Sequence, residues 1–292
     1  MPSEEILDKP VLIVGAPRSG TTWVQRLLLN HPAIAGGQES SFFTAFAPAL
    51  SVFQSNGERH RFTGLDNYWT ADAMRGEIRT LWHKTMQPMV RPETRLVVEK
   101  SPDHALCMMD VNYLLPEAKF IHVIRDSRAV AASLMAASKE DWGKGWTPSD
   151  PAEAAARWRT SVRAARKAGA KLGPSLYREV FYEELSADPL PHLRGMFEFI
   201  GIQVTDEELK RIVEEQKFEK QVAIGGTPFK RAGEVAKQTK AAKEPKGFFR
   251  KGKADSWKTE LSFFQRLIIW RHTRHLMREC GYDYEGRRVS KG

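Results

Sequence analysis

Small and hydroxylated residues crowd around a single cation near the start of the chain, in Gly15-Ala16-Pro17-Arg18-Ser19-Gly20-Thr21-Thr22. An apolar run, Val11 to Val14, leads into this stretch, and a helical pattern carrying Trp23, Leu27 and Leu28 follows it. A strand, a tight loop and a helix start make a phosphate cradle, because loop and first-turn N–H groups converge on one oxyanion. The spacing of Gly15 and Gly20 matches a Gly-x-x-x-x-Gly phosphate loop, whose next residue is ordinarily a lysine that reaches the β/γ-phosphates of ATP. Here that residue is Thr21, and the cation is Arg18, three positions earlier. A guanidinium is permanently charged and bidentate, so it can stabilise an anion but cannot serve as a general acid. The loop is built for a phosphate and not for ordinary ATP chemistry.

The elements that must position such a loop are legible as short, nearly all-apolar strands: Val11–Gly15, Ile34–Gly37, Leu96–Glu99, Phe120–Arg125 and Leu176–Tyr182. Helical patterns lie between and after them, at Thr21–Asn30, Asp126–Ser138, Pro151–Ala168, Leu185–Ile200, Asp206–Gln216 and Glu260–Cys280. The stretch Ser41–Thr94 is expected to be helical and to cover one side of the site. Alternation of this kind predicts an α/β fold, one domain over 1–292 with a central parallel sheet flanked by helices, like that of phosphate-loop nucleotide hydrolases. In open parallel sheets ligands bind outside the carboxyl ends of the strands. Arg18, Glu39, Lys100, Arg125 and Tyr182 each fall at or just after such an end, and so should share one edge.

The segment Pro17-Arg18-Ser19-Gly20-Thr21-Thr22-Trp23 resembles the 5′-phosphosulfate loop of sulfotransferases that use 3′-phosphoadenosine 5′-phosphosulfate (PAPS). The resemblance recurs twice, in order. Phe120-Ile-His-Val-Ile-Arg-Asp-Ser-Arg-Ala-Val-Ala-Ala-Ser133 is similar to the family's 3′-phosphate motif, and Phe249-Arg-Lys-Gly-Lys-Ala-Asp-Ser-Trp257 to its Arg-Lys-Gly loop. The loop and Glu39 most resemble protein-tyrosine and bacterial members. The resemblance implies that Arg18, Ser19, Gly20, Thr21 and Thr22 hold the 5′ end of PAPS, and that Arg125, Ser133, Arg250, Lys251 and Gly252 hold its 3′-phosphate. Trp23, Tyr182 and Phe218 would flank the adenine. Asp126 can cap the helix that follows, and Ser133, seven residues in, lies ~10 Å from the helix start at ~1.5 Å per residue. A phosphate there is separate from one at the loop, which suits a donor with two phosphate positions.

Two groups compete as base for the acceptor. Glu39 lies twenty-one residues after Arg18 in a Gly-x-Glu ending that resembles the tyrosine-type members, where a glutamate is the base. His104, in Glu99-Lys-Ser-Pro-Asp-His104, lies near a family histidine that ordinarily stands closer to the lysine. Glu39 is the favoured base. The resemblance also gives Lys100, and more loosely Ser256, the transferring sulfuryl oxygens. The expected reaction is in-line sulfuryl transfer from PAPS to a hydroxyl or an amine, leaving 3′-phosphoadenosine 5′-phosphate (PAP). The acceptor would be a small molecule, glycan or peptide, and no metal is required.

Composition bounds the rivals. The 292 residues carry two cysteines, Cys107 and Cys280, without paired spacing, so a disulfide framework or cysteine zinc site is not expected. His272 and His275 sit one helical turn apart without carboxylate or cysteine company. No apolar run approaches the ~20 residues that span a bilayer, and the acidic start lacks signal-peptide order. The expectation is a cytoplasmic protein with no integral membrane segment. Of the net charge of +9, a local +7 (nine Lys/Arg against two Glu) falls between Lys230 and Lys253. That segment reads as a mobile basic loop that orders on a dianionic nucleotide, and not as a nucleic-acid surface. The alternatives are a kinase-like phosphate-loop enzyme, which needs the missing lysine, a basic polyanion-binding protein, and an inactive PAP-binding member. Oligomeric state is not readable.

Overall fold

The structure is a computed structural model that describes residues 2–54, 65–216 and 254–288. Its centre is a five-stranded, wholly parallel sheet in the order β2-β3-β1-β4-β5. The strands are β1 (Val11–Gly15), β2 (Ile34–Gly36), β3 (Leu96–Lys100), β4 (Lys119–Ile124) and β5 (Tyr177–Phe181). The expected fold class is the one observed. Every residue of β1 and β3 is buried, as is β4 from Phe120 onward, because helices cover both faces of the three central strands. Edge strands β2 and β5 are only partly covered.

On one face, α2 (Thr21–Leu29), α9 (Pro189–Ile200) and α10 (Asp206–Glu215) pack Val24, Leu27, Phe197 and Ile212 against Val11, Ile13, Val98 and Val123. The other face carries α1 (Pro2–Asp8), α3 (Phe42–Gln54), α4 (Ala71–Met86), α5 (Met108–Leu114), α6 (Ser127–Ala137), α7 (Pro151–Leu172) and α12 (Phe263–Glu279). Alternate residues of β1 divide between the faces, Val11 and Ile13 on one and Leu12 and Val14 on the other, which is the period-two register of a pleated strand.

In the stretch after Ser41, the described residues are mostly helical, as expected, in α3 and α4. Phe42, Phe43 and Trp82 form an aromatic cluster with ring centres 4.8–5.5 Å apart, tied down by Trp82 Nε1 donating to Leu7 O (2.7 Å). One expected helix is broken. The pattern Leu185–Ile200 divides into α8 (Tyr182–Ala187) and α9, because Pro189 lacks an N–H and forces Asp188 out of helical geometry. The last expected helix, Glu260–Cys280, is α12 (Phe263–Glu279), which Ser262 and Gln265 start with a reciprocal capping box, and a separate short helix, α11 (Trp257–Glu260), precedes it. Tyr182 therefore opens a helix where a strand end was expected.

Candidate functional site

The β1–α2 loop holds two unusual backbone conformations, Arg18 at φ 75° and Gly20 at φ 96°. At Gly20 no other residue fits, since a Cβ would lie 2.5 Å from the Tyr182 ring as well as straining the backbone. These turns aim the loop at the first turn of α2, whose Thr21 and Thr22 are buried and whose opening N–H groups have no partner within the helix. Ser19 is fully buried, and its Oγ finds no hydrogen-bond partner among the described residues. An unsatisfied buried hydroxyl costs about 1–3 kcal/mol, and an anion seated in the loop would satisfy it.

Three of the five strand exits meet here. Arg18 Nε donates to Ser133 Oγ (3.1 Å), and the guanidinium lies 5.4 Å from the Trp142 ring centre. Arg125 stacks 4.1 Å over the Tyr182 ring and donates to Arg18 O (3.5 Å). Trp23 meets Tyr182 edge-on at 5.5 Å. The Arg125 backbone is fixed from below by Trp158 Nε1, which donates to its carbonyl (2.9 Å). Arg18, Ser19, Gly20, Thr21, Thr22, Trp23, Arg125, Ser133 and Tyr182 thus form one continuous cluster. Through its bond to Ser133 on α6, Arg18 links the loop to the expected 3′-phosphate position.

The other two exits form a second group. Lys100, buried at the end of β3, makes an ion pair with Glu39, whose side chain is 46% exposed. A buried ammonium needs such a partner. Glu99, the preceding residue, points into the protein and accepts from Ser40 N (3.1 Å), Ser40 Oγ (2.8 Å) and Ser101 Oγ (2.6 Å). Burial pushes the Glu99 carboxyl up, but His104 and the Ser101 and Ser40 bonds outweigh it and hold it below the usual range. His104 is fully buried: Nε2 accepts Phe43 N–H (3.2 Å) and Nδ1 lies 3.0 Å from Glu99 Oε2. Both ring nitrogens face the core, so His104 offers no face to an acceptor. It anchors α3 and Glu99 instead, and the sequence order could not show which way the ring turned.

A buttress behind Arg125 is built around the expected cap, Asp126, and also carries Arg128, Glu183 and Tyr282, to which sequence reading gave no role. Asp126 caps α6 through Arg128 N (2.8 Å) and takes a bidentate bond from the buried Arg128 guanidinium (3.0 and 2.6 Å). That guanidinium lies 3.8 Å over Trp257 and 5.1 Å from the Trp270 ring centre, and donates to Tyr284 O. Asp126 N donates to Glu183 Oε1 (3.0 Å), and Tyr282 OH donates to Glu183 Oε2 (2.5 Å). Burial, and then the Asp126 carboxylate, push the Glu183 carboxyl up against these bonds. The signal available in the sequence was the Arg125-Asp126-Ser127-Arg128 spacing together with a late run of aromatics.

Ser256 is the N-cap of α11, immediately before Trp257, whose ring lies against Arg128. Phe218, Arg250, Lys251 and Gly252, with the basic segment 230–253, lie outside the described residues. Among the described residues no group of three or more His, Cys, Asp or Glu could hold a metal ion, and no helix is long and apolar enough to cross a membrane.

Residues 10–206 match a model described as the Sulfotransferase family. Among similar proteins are protein-tyrosine sulfotransferase 2 of Gallus gallus, 24% identical over 202 residues, and protein-tyrosine sulfotransferase of Drosophila melanogaster, 25% identical over 202. Both alignments take in 68% of this chain, but only 53% and 39% of those relatives, so the chain spans about half their length or less. Among solved structures, mouse sulfotransferase SULT7A1 complexed with PAP superposes with a TM-score of 0.60 at 15% identity, over 93% of this chain and 85% of that one. The sulfotransferase domain of the Synechococcus PCC 7002 olefin synthase gives 0.54 at 22% identity, over 91% and 94%. At these identities the structures establish a shared fold.

Proposed function

Because the chain belongs to the Sulfotransferase family, we propose that it transfers a sulfuryl group from PAPS to an acceptor hydroxyl or amine. The observation that carries this reading is the buried, unsatisfied Ser19 Oγ set among Arg18, Arg125 and Ser133 at the carboxyl edge of the sheet. A donor with two anionic ends would meet a matching cation at each, and the Trp23–Tyr182 pair lies between. The PAP present in the mouse neighbour is consistent with that donor.

When bound, PAPS supplies the sulfuryl group. The loop N–H groups, Ser19, Thr21 and Thr22 hold its 5′ end, while Arg125 and Ser133 hold the 3′-phosphate. Glu39 takes the acceptor proton as the acceptor oxygen or nitrogen bonds to sulfur and the bridging S–O bond breaks. The electron pair of that bond stays with the departing phosphate, where Arg18 offsets the growing charge. Lys100 holds the Glu39 carboxylate in place and would stabilise the sulfuryl oxygens of a bound donor. The acceptor is a hydroxyl-bearing small molecule, glycan or peptide, and the Asp141–Trp146 segment, with Trp142 against Arg18, borders the place it would enter.

The experiment is turnover with PAPS and separate acceptors: a tyrosyl peptide, a simple phenol, a sugar alcohol and an aliphatic amine. PAP release that depends on one of them supports the reading. Phosphoryl transfer from ATP to the same acceptors, with none from PAPS, would replace it with the kinase-like alternative.

A further inference from the structure

We propose that the outer face of α12 docks the protein on an anionic lipid surface. Four large apolar side chains stand in solvent at the start of this helix: Phe263 (58% exposed), Phe264 (73%), Leu267 (44%) and Ile268 (39%). Their spacing puts them on one face at roughly 100° per residue. The opposite face is spoken for, since Ile269, Trp270, Thr273, Leu276 and Met277 are buried against the domain. Continuing along the outer face, Arg271, Arg274 and Arg278 are exposed, with His272 and His275 beside them and a single acid, Glu279. An apolar cluster followed by cations on one exposed face is the pattern of a helix that lies in a membrane interface, with apolar groups at the acyl boundary and cations at the headgroups.

Charge complementarity selects this occupant over a second copy of the chain. A two-fold interface brings the same face of both protomers together. If the helices paired antiparallel over their whole length, each apolar cluster would meet the partner's arginines. If they ran parallel, Arg271, Arg274 and Arg278 would face one another. Either arrangement leaves the cations unmatched. An anionic surface that accepts apolar groups satisfies both halves at once, and a contiguous exposed apolar patch marks an interaction site.

The inference does not depend on the donor assignment. Its test is co-sedimentation of the full chain with vesicles of phosphatidylcholine alone and of equal parts phosphatidylcholine and phosphatidylglycerol, at low and high salt. Binding is expected only to the anionic vesicles and should weaken with salt. Phe264→Asp with Leu267→Asp, and separately Arg271→Glu with Arg274→Glu, should each lower the partition coefficient roughly tenfold or more. Both pairs are exposed, so circular dichroism and melting temperature should stay unchanged. Failure of the wild type to bind anionic vesicles would overturn the proposal. So would full retention of binding by both double variants, which would pass the role to the basic segment 230–253. Concentration-dependent dimerisation abolished by the apolar pair, without vesicle binding, would assign the face to a second copy instead.

Discussion

Glu39 and Lys100 show what a residue list can and cannot convey. The sequence placed each after its own strand, and parallel pairing of β2 with β3 brought both exits to one edge. Their ion pair was not legible, because it depends on side-chain reach across neighbouring strands. The same holds for Arg18, whose φ of 75° and bond to Ser133 no spacing rule implies. His104 is the instructive case in the other direction. A histidine close to a candidate lysine looks chemical in one dimension, yet the fold turns it inward onto Glu99 and Phe43. The proposed roles separate kinetically. Glu39→Gln should lower kcat by about a hundredfold or more with the donor KM little changed, in line with the usual contribution of a general base. Arg125→Ala should instead raise the donor KM by roughly ten- to a hundredfold, as expected for losing a charged hydrogen bond of about 1.5–3 kcal/mol. Initial rates over both substrates distinguish the two, and a Glu39→Gln enzyme at full kcat would remove Glu39 as base.

At the scale of elements, apolar runs located the three central strands because a doubly covered strand has to be apolar along most of its length, and the partly covered edge strands β2 and β5 fell within a residue of their expected ends. Except in β1, whose bounds matched, strand ends shifted by one residue, since the last ladder bond leaves no mark in composition. Helix breaks were harder. Pro189 divided one helix where the apolar period ran on unbroken, and the Ser262 cap moved the start of the last helix a few residues later than the pattern suggested. The sequence only hinted at the buttress behind Arg125, through the Asp126 cap and the late aromatics, because its members Arg128, Glu183 and Tyr282 come from three distant segments. It joins the Asp126 and Glu183 turns, which follow β4 and β5 and carry Arg125 and Tyr182, to the chain end. Tyr282→Phe removes the hydroxyl that serves buried Glu183 and should cost about 1–3 kcal/mol of stability. It should also raise the donor KM several-fold while leaving the acceptor KM unaltered. Denaturant unfolding and two-substrate kinetics check this, and a stability loss with unchanged donor KM would reduce the buttress to packing alone.

Across the whole molecule, the parallel sheet makes the active edge a consequence of chain direction: five strands pointing one way deliver five exits to one side. The same burial sets the response to acid. His122, on β4, is fully buried, its Nδ1 2.6 Å from the Tyr177 hydroxyl, which donates to Glu179 (2.9 Å). Burial, aided by the Arg166 charge, pulls its pKa down from 6.5 to about 3. A depressed folded pKa means that the unfolded chain takes up the proton first. The stabilisation is therefore intact above about 6.5 and is lost as pH falls from there toward about 3. Melting temperatures across that window should fall less steeply for His122→Gln than for wild type. Equal slopes would show that His122 does not control the acid limb.

The central claim concerns the loop and its partners, and calorimetric titration without Mg²⁺, in moderate salt, tests it most directly. PAP, ATP and AMP would be compared on the same preparation. Selective, tight binding of PAP is the predicted result, because only a nucleotide carrying both 5′- and 3′-phosphates can engage the loop and the Arg125–Ser133 pair together. ATP binding as well as or better than PAP, or equal weak binding of all three, would contradict it.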